Sequence, residues 1–192
     1  MKVFIGSCIW REVAAEHHKS LIPLLRQPNV QYGPQVGDAL IERARGISAT
    51  YFLRETDADV HLSIDSDIVG FTVEDTLKLC ELAMTHDIVG GSYVCRSASR
   101  TFPASYYEAN LRVEHGFNHT PVPIKWAATG FLAVHRRVFT KLAEDMALLH
   151  RSQPWAFYNF YQPFEYEDAD TKEPILLSED YDERSGARQI TC

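Results

Sequence analysis

The chain is poor in cysteine and has no cysteine pairs at short spacing. Cys8, Cys80, Cys95 and Cys192 are scattered through 192 residues, none forms a Cys-x-x-Cys, and no His/Cys spacing looks like a zinc site. That argues against a zinc module and leaves free thiols in a reducing compartment. Long apolar runs are missing too. Nothing approaches the roughly 20 residues of a spanning helix. The apolar start from Met1 to Ile9 is cut off by Trp10-Arg11-Glu12, too soon for a signal peptide. The expectation is a cytoplasmic protein with no transmembrane segment, with room for peripheral contact with a membrane. Basic runs are also absent: 19 Lys and Arg stand against 26 Asp and Glu, a formal net charge of −7. An acidic chain without a basic stripe is a poor binder of nucleic acid, so no nucleic-acid partner is expected. An anionic ligand would need local help from a metal, an arginine or a helix N-terminus.

What remains is an ordinary globular composition. With 45% hydrophobic and 23% charged residues, 192 residues are enough for one domain that buries its own core. Lys2 to Cys8 reads as a first strand, and the small Gly6-Ser7-Cys8 at its end would let a ligand approach the backbone. Glu12 to about Arg26 reads as a helix that Pro23 kinks or ends, and Asn29 to Tyr32 as a strand closed by a Gly33-Pro34 turn. Asp38 to Glu55 is the clearest helix: Leu40, Ala44, Ile47 and Tyr51 recur at helical spacing, and Arg43 and Arg45 fall off that stripe. Off the stripe, the two arginines read as solvated or paired with Glu42. A strand from Asp59 to Ile64 comes next, then a helix capped by Thr72 with Val73, Leu77, Cys80 and Met84 inward, then a strand in Asp87 to Tyr93. This alternation predicts an α/β fold, a mostly parallel central sheet with helices on both faces.

The second half is less regular. Val122 to Trp126 and Thr129 to Val134 read as strands, and Arg136 to His150 as a helix with Val138, Phe139, Leu142, Met146 and Leu149 inward. The aromatic stretch Trp155 to Tyr166 reads equally as a lid, an acceptor platform or core. The eight histidines show no pairing pattern.

The chemistry gathers at Asp65-Ser66-Asp67. The run Val60 to Ile64 reads as a buried strand, and it ends in two carboxylates separated by one small residue. In open α/β sheets, ligands bind at the carboxyl ends of strands. Hard oxygen donors there suit Mg²⁺ or Mn²⁺, and the natural third party is a diphosphate. A carboxylate about 4 Å from a phosphate oxygen is repelled by roughly 4 kcal/mol at an effective dielectric near 20, and a bridging dication reverses that sign. Glu179-Asp180, far downstream, offers a general base worth about 10²–10⁴ in rate if it faces the same cleft: Asp180 as base, Glu179 on substrate hydroxyls. Each motif also has a plainer reading: Asp65 and Asp67 as a turn with capping acids, Glu179-Asp180 as dipole-matched acids in a first helical turn, and Arg96 as a surface residue.

Four motifs occur in order: Asp65-Ser66-Asp67, Asp87-Ile88-Val89-Gly90-Gly91-Ser92-Tyr93, the run from Trp126 through Thr129-Gly130 to Phe139, and Ser178-Glu179-Asp180-Tyr181. Together they resemble the GT-A glycosyltransferases, close to the family 2-like group. The resemblance covers most of the chain and implies a single GT-A-like domain over 1–192, with a nucleotide-binding half at 1–95 and an acceptor-side half at 96–192. It implies a metal-dependent transferase that moves a sugar from a nucleotide-diphosphate donor, a UDP-sugar first, to the hydroxyl of an unspecified acceptor. By the same carry-over, Ser7 and its neighbours would contact the nucleotide and Arg45 would reach base or phosphate. Asp65 would touch ribose or base and help hold the metal, Asp67 would ligate it, Thr129 and Gly130 would line the sugar pocket, and Asp180 would be the base. Gly46 stands where the family has Asn after the arginine. No His occurs after His150, where many members place a metal-ligating one, so the C-terminal part is expected to be shortened.

Two other functions fit the same residues. Ile64-Asp65-Ser66-Asp67-Ile68-Val69 matches the nucleophile motif of haloacid-dehalogenase-type phosphatases, although that motif normally opens its fold and here two strand-helix units precede it. The other is a non-catalytic nucleotide- or carbohydrate-binding module derived from a transferase.

Overall fold

A computed structural model describes residues 1–94, 104–106, 121–162, 164–167, 174–177 and 189–191. Its elements, in order, are β1 (Val3–Ile9), α1 (Ala15–Leu25), β2 (Val30–Val36), α2 (Ile41–Glu55), β3 (Val60–Ile64), α3 (Val73–His86), β4 (Ile88–Gly90), β5 (Ala104–Tyr106), β6 (Val122–Ala127), β7 (Phe131–His135), α4 (Arg136–Glu144), β8 (Leu148–Leu149), β9 (Phe157–Tyr158), β10 (Phe164–Glu167), β11 (Pro174–Leu177) and β12 (Gln189–Thr191). The main sheet has the order β2-β1-β3-β7-β4-β12-β6-β5. β1 pairs in parallel with β2 and β3, and β4 with β12; β7 lies antiparallel between β3 and β4, and β6 antiparallel between β12 and β5. The fold is mixed α/β with a mostly parallel central sheet.

Strand alternation sends neighbouring residues to opposite faces. Val60, Leu62 and Ile64 join Val3 and Ile5 against Leu21 and Leu24 of α1 and Leu79, Cys80 and Ala83 of α3. Phe4, Leu132 and Val134 meet Ala49 and Phe52 of α2, Val138 and Phe139 of α4, and Phe160 and Tyr161. Each fully buried large apolar side chain contributes about 1.5–3 kcal/mol, and both faces are covered by helices, as the alternation predicts.

Several boundaries differ from the sequence expectation. Gly33-Pro34 is not a turn but part of β2, in register with Gly6 and Ser7. β2 is an edge strand, where proline's missing N–H is tolerated, and the Phe4 ring fills the space a Cβ at Gly33 would need. α1 runs through Pro23 to Leu25. α2 starts at Ile41, not Asp38; the Asp38 carboxylate accepts the Leu40 N–H at 3.0 Å and is clamped by Arg43 through two bonds of 2.7 Å. The buried face of α2 carries Ala44, Arg45, Ser48, Ala49 and Phe52, while Leu40 and Tyr51 are exposed. α3 is capped by Thr72, whose hydroxyl accepts the Asp75 N–H at 3.1 Å as predicted, but its buried residues are Thr76, Leu79, Cys80 and Ala83. α4 stops at Glu144, because Leu148–Leu149 pair with Phe157–Tyr158 as a small hairpin. Of the aromatic stretch, Phe157, Phe160 and Tyr161 are core, and Trp155 is exposed.

Candidate functional site

Strands β2, β1 and β3 lie side by side in parallel, and the segments beyond their carboxyl ends line a single cavity of about 860 Å³. After β1 come Trp10 to Ala14; between β2 and α2 come Asp38 and Ala39, with Ile41 opening the helix; after β3 come Asp65, Ser66 and Asp67. The Asp-Ser-Asp turn is pinned from three directions. The Asp65 N–H donates to Gly130 O at 2.8 Å, the Ile68 N–H closes the turn on Asp65 O at 3.0 Å, and the Ala14 N–H donates to Ser66 O at 3.2 Å. His17 of α1 adds a fourth hold, with Nδ1 2.7 Å from Ile68 O. A carbonyl only accepts, so Nδ1 carries the proton. Burial, first among its causes, lowers the pKa of His17 and favours the neutral ring.

Asp65 faces Arg45. Both Asp65 oxygens accept from Arg45 Nη2, at 3.1 and 3.0 Å, and the side chains are 6% and 28% exposed for Arg45 and Asp65. The helical stripe assigns Arg45 to a solvated face. The structure corrects this: α2 turns Arg45 inward, and its buried charge is compensated by the carboxylate at the end of β3. Removing one partner of such a pair typically costs about 3–5 kcal/mol. Gly46 also has a structural cause. A Cβ there would lie 2.9 Å from the Phe157 ring and 3.0 Å from Tyr158 O, so glycine lets β9 approach α2.

The other expected residues divide. Thr129 and Gly130 are buried in the turn before β7, opposite the end of β3. A Cβ on Gly130 would lie 2.5 Å from Tyr93 Oη and 3.2 Å from Asp65 Oδ2, so Gly130 admits Tyr93 near the carboxylate. Asp67 lines the cavity. Ser7 does not: it is fully buried, beside Tyr32 on the opposite face, and strand alternation gives the cavity Cys8 instead. Gly6 makes room for the protein's own side chains rather than a ligand, since His61 Nε2 would sit 2.7 Å from its Cβ. Glu179, Asp180 and Arg96 lie outside the described residues. Trp10, Arg11, Glu12 and Asp38 also line the cavity, although no motif names them; their signal is their position directly after the first strand and before the second helix.

Among the described residues no three His, Cys, Asp or Glu side chains gather to hold a metal alone. Mg²⁺ and Mn²⁺ do not need that; they commonly take one or two carboxylates and complete their shell with substrate phosphates and water. Two aspartates flanking a serine, in an open cavity, fit a cation that is bound together with a phosphate ligand.

No family model and no curated protein matches the chain. Among solved structures, the crystal structure of A197 from STIV is similar over 100% of this chain and 82% of that one, at 14% identity and a TM-score of 0.65. That likeness is one of fold. 4-Diphosphocytidyl-2C-methyl-D-erythritolsynthase from Anaerococcus prevotii DSM 20548 aligns over 79% of this chain and 80% of its own, at 15% identity and a TM-score of 0.38.

Proposed function

We propose that this protein is a metal-dependent glycosyltransferase of GT-A type, taking a nucleotide-diphosphate sugar as donor. The observation that carries the reading is the seating of Asp65 and Asp67, beyond a wholly buried strand, in a cavity walled by the ends of β1 and β3 and the start of α2.

Asp67 would hold the Mn²⁺ or Mg²⁺. Asp65, oriented by Arg45, would help hold that cation and would accept from ribose or base N–H and O–H groups. The cation, when bound, offsets the charge of the diphosphate and of the diphosphate as it leaves. Gly130, against Asp65, and Thr129 before it would face the sugar. Asp180 would take the proton of the acceptor hydroxyl as its oxygen attacks the anomeric carbon and the bond from that carbon to the diphosphate breaks, with Glu179 holding substrate hydroxyls.

Thermal unfolding with UDP and Mn²⁺ tests the donor site. Saturation at about 100 times Kd adds about 2.7 kcal/mol, a rise in Tm of about 5 °C or more for a domain of this size. No rise with any nucleoside diphosphate and metal refutes the proposal. Release of phosphate from an aryl phosphate would favour a phosphatase that uses Asp65 as nucleophile. Nucleotide binding with neither transfer nor donor hydrolysis would favour a binding module.

A further inference from the structure

His17 of α1 touches the candidate site without lining its cavity. From Ser66 to Gly70, one backbone group of every second residue is bonded to α1 or its N-cap. The Ala14 N–H donates to Ser66 O at 3.2 Å, His17 Nδ1 lies 2.7 Å from Ile68 O, and the Gly70 N–H donates to Ser20 Oγ at 3.2 Å. Asp67 thus sits between two residues that are both tied to this helix. Ile68 is also the residue whose N–H closes the turn on Asp65 O. His17 is the least expected member of the series. It is fully buried, 5.5 Å from the Phe71 ring, and its Nε2 has no hydrogen-bond partner. A buried nitrogen left unpaired is unfavourable, and an apolar side chain would fill the same space without it. Packing alone does not account for a histidine here. What the ring adds is one bond, from Nδ1–H to the residue that closes the turn.

We infer that His17 is a positioning residue for Asp67: by gripping Ile68 O from beneath, it keeps the Asp65–Ile68 turn closed and holds Asp67 where a divalent cation would meet it. This rests on the proposed cation. Mg²⁺ and its like demand a defined arrangement of oxygen donors, so a carboxylate on a turn that opens and closes serves them poorly. Losing an outer group that orients a metal ligand typically costs about 10- to 100-fold in affinity. The role belongs to the atom that donates and not to the ring as a filler of space.

Three substitutions separate the donor from the bulk. His17→Asn keeps an N–H on the atom bonded to Cγ, the place of Nδ1, but loses most of the ring. His17→Gln carries its N–H one atom further out. His17→Leu keeps apolar bulk and has no donor. Each chain is read twice: by hydrogen exchange of the Ile68 amide without ligand, and by calorimetry for UDP affinity in excess Mn²⁺. With His17→Leu and His17→Gln, the Ile68 amide should exchange at least about tenfold faster relative to that of Leu62 in β3, and UDP affinity should fall by about tenfold or more. His17→Asn should keep both readings within about threefold of the unaltered chain. Losses that follow ring volume instead, with His17→Asn the worst, make His17 a packing residue and overturn the inference. So does an Ile68 amide that stays equally protected in His17→Leu, a result that needs no ligand. Faster exchange with UDP affinity intact also overturns it and leaves the cation reading standing. An unaltered chain that binds no UDP in Mn²⁺ overturns the cation reading, and the inference with it. If His17→Leu fails to fold, the contrast between His17→Asn and His17→Gln decides.

Discussion

Strand β3 has charged groups at both ends, and the two ends use them differently. At the amino end, Asp59 accepts the Lys2 N–H at 2.7 Å, and the Asp59 and Arg136 N–H groups donate to Lys2 O and Asp59 O, both at 2.8 Å. The Arg136 guanidinium donates to Ala58 O, Leu53 O, Phe52 O and Thr56 O at 2.6, 2.8, 3.0 and 3.0 Å, and lies 4.3 Å over the Phe52 ring. These carbonyls include the last acceptors of α2, which have no partner within the helix. At the carboxyl end, Arg45 donates to a carboxylate, and that carboxylate opens on a cavity. The same residue types therefore close the backbone at one edge and face a cavity at the other. The difference lies in what the guanidinium meets: carbonyls at a helix end, or a side chain at a cavity wall.

The comparison predicts a split between stability and binding. Arg136→Ala removes the donor to four carbonyls and should lower unfolding free energy by about 3–5 kcal/mol, measured by urea denaturation. The remaining folded fraction should bind Mn²⁺ and UDP with unchanged affinity. A loss of affinity beyond about threefold would show that the amino end of β3 also shapes the site.

Midway along the strand, His61 gives the next effect. It is packed among Phe4, Phe52 and Phe139, with Nε2 3.1 Å from Ser48 Oγ, and burial pushes its pKa from 6.5 down to about 3. The unfolded chain binds this proton below about pH 6.5 and the folded chain does not. The neutral form is thus favoured by folding, and stability falls as pH drops from 6.5 towards 3, at up to about 1.4 kcal/mol per pH unit. His17 acts with the same sign. His61→Gln should flatten the slope of unfolding free energy against pH between about 6 and 4, whatever it does to stability at neutral pH. An unchanged slope would mean that the acid sensitivity does not arise at His61.

What each residue serves decides how far it was legible in the sequence. β3 and the helices around it were legible because Val60, Leu62 and Ile64 face one core, and because Thr72 caps α3 through its own side chain. The place of Asp65 and Asp67 at the sheet edge was legible because two acids end a buried strand. The burial of Arg45, which the resemblance names, was not: helical periodicity ranks hydrophobic positions, and a buried arginine is explained only by its partner on another element. Which of Ser7 and its neighbour Cys8 meets the cavity was not legible, since a strand turns alternate side chains to opposite faces and the sheet decides the choice. The Gly33-Pro34 pair reads as a turn by local chemistry; being at the sheet edge makes it a strand. α4 was overextended because the apolar Leu148 and Leu149 satisfy their backbone in a hairpin with β9 instead.

The smallest expected effect on stability is the most telling one for function. Asp67→Asn changes a cavity-lining side chain in a turn that the backbone bonds of Asp65, Ser66 and Ile68 hold in place. Unfolding free energy in the absence of ligand should shift by no more than about 0.5 kcal/mol, as for a surface substitution. The Mn²⁺-dependent part of any UDP-induced rise in Tm should vanish, because a neutral amide keeps the shape of the carboxylate but not its charge for a hard cation. Arg136→Ala should show the reverse pattern, with a large loss of stability and intact binding. If Asp67→Asn destabilises the chain as much as Arg136→Ala does, the carboxyl end of β3 is another structural clamp, and the cavity beside it does not need a metal to explain its acids.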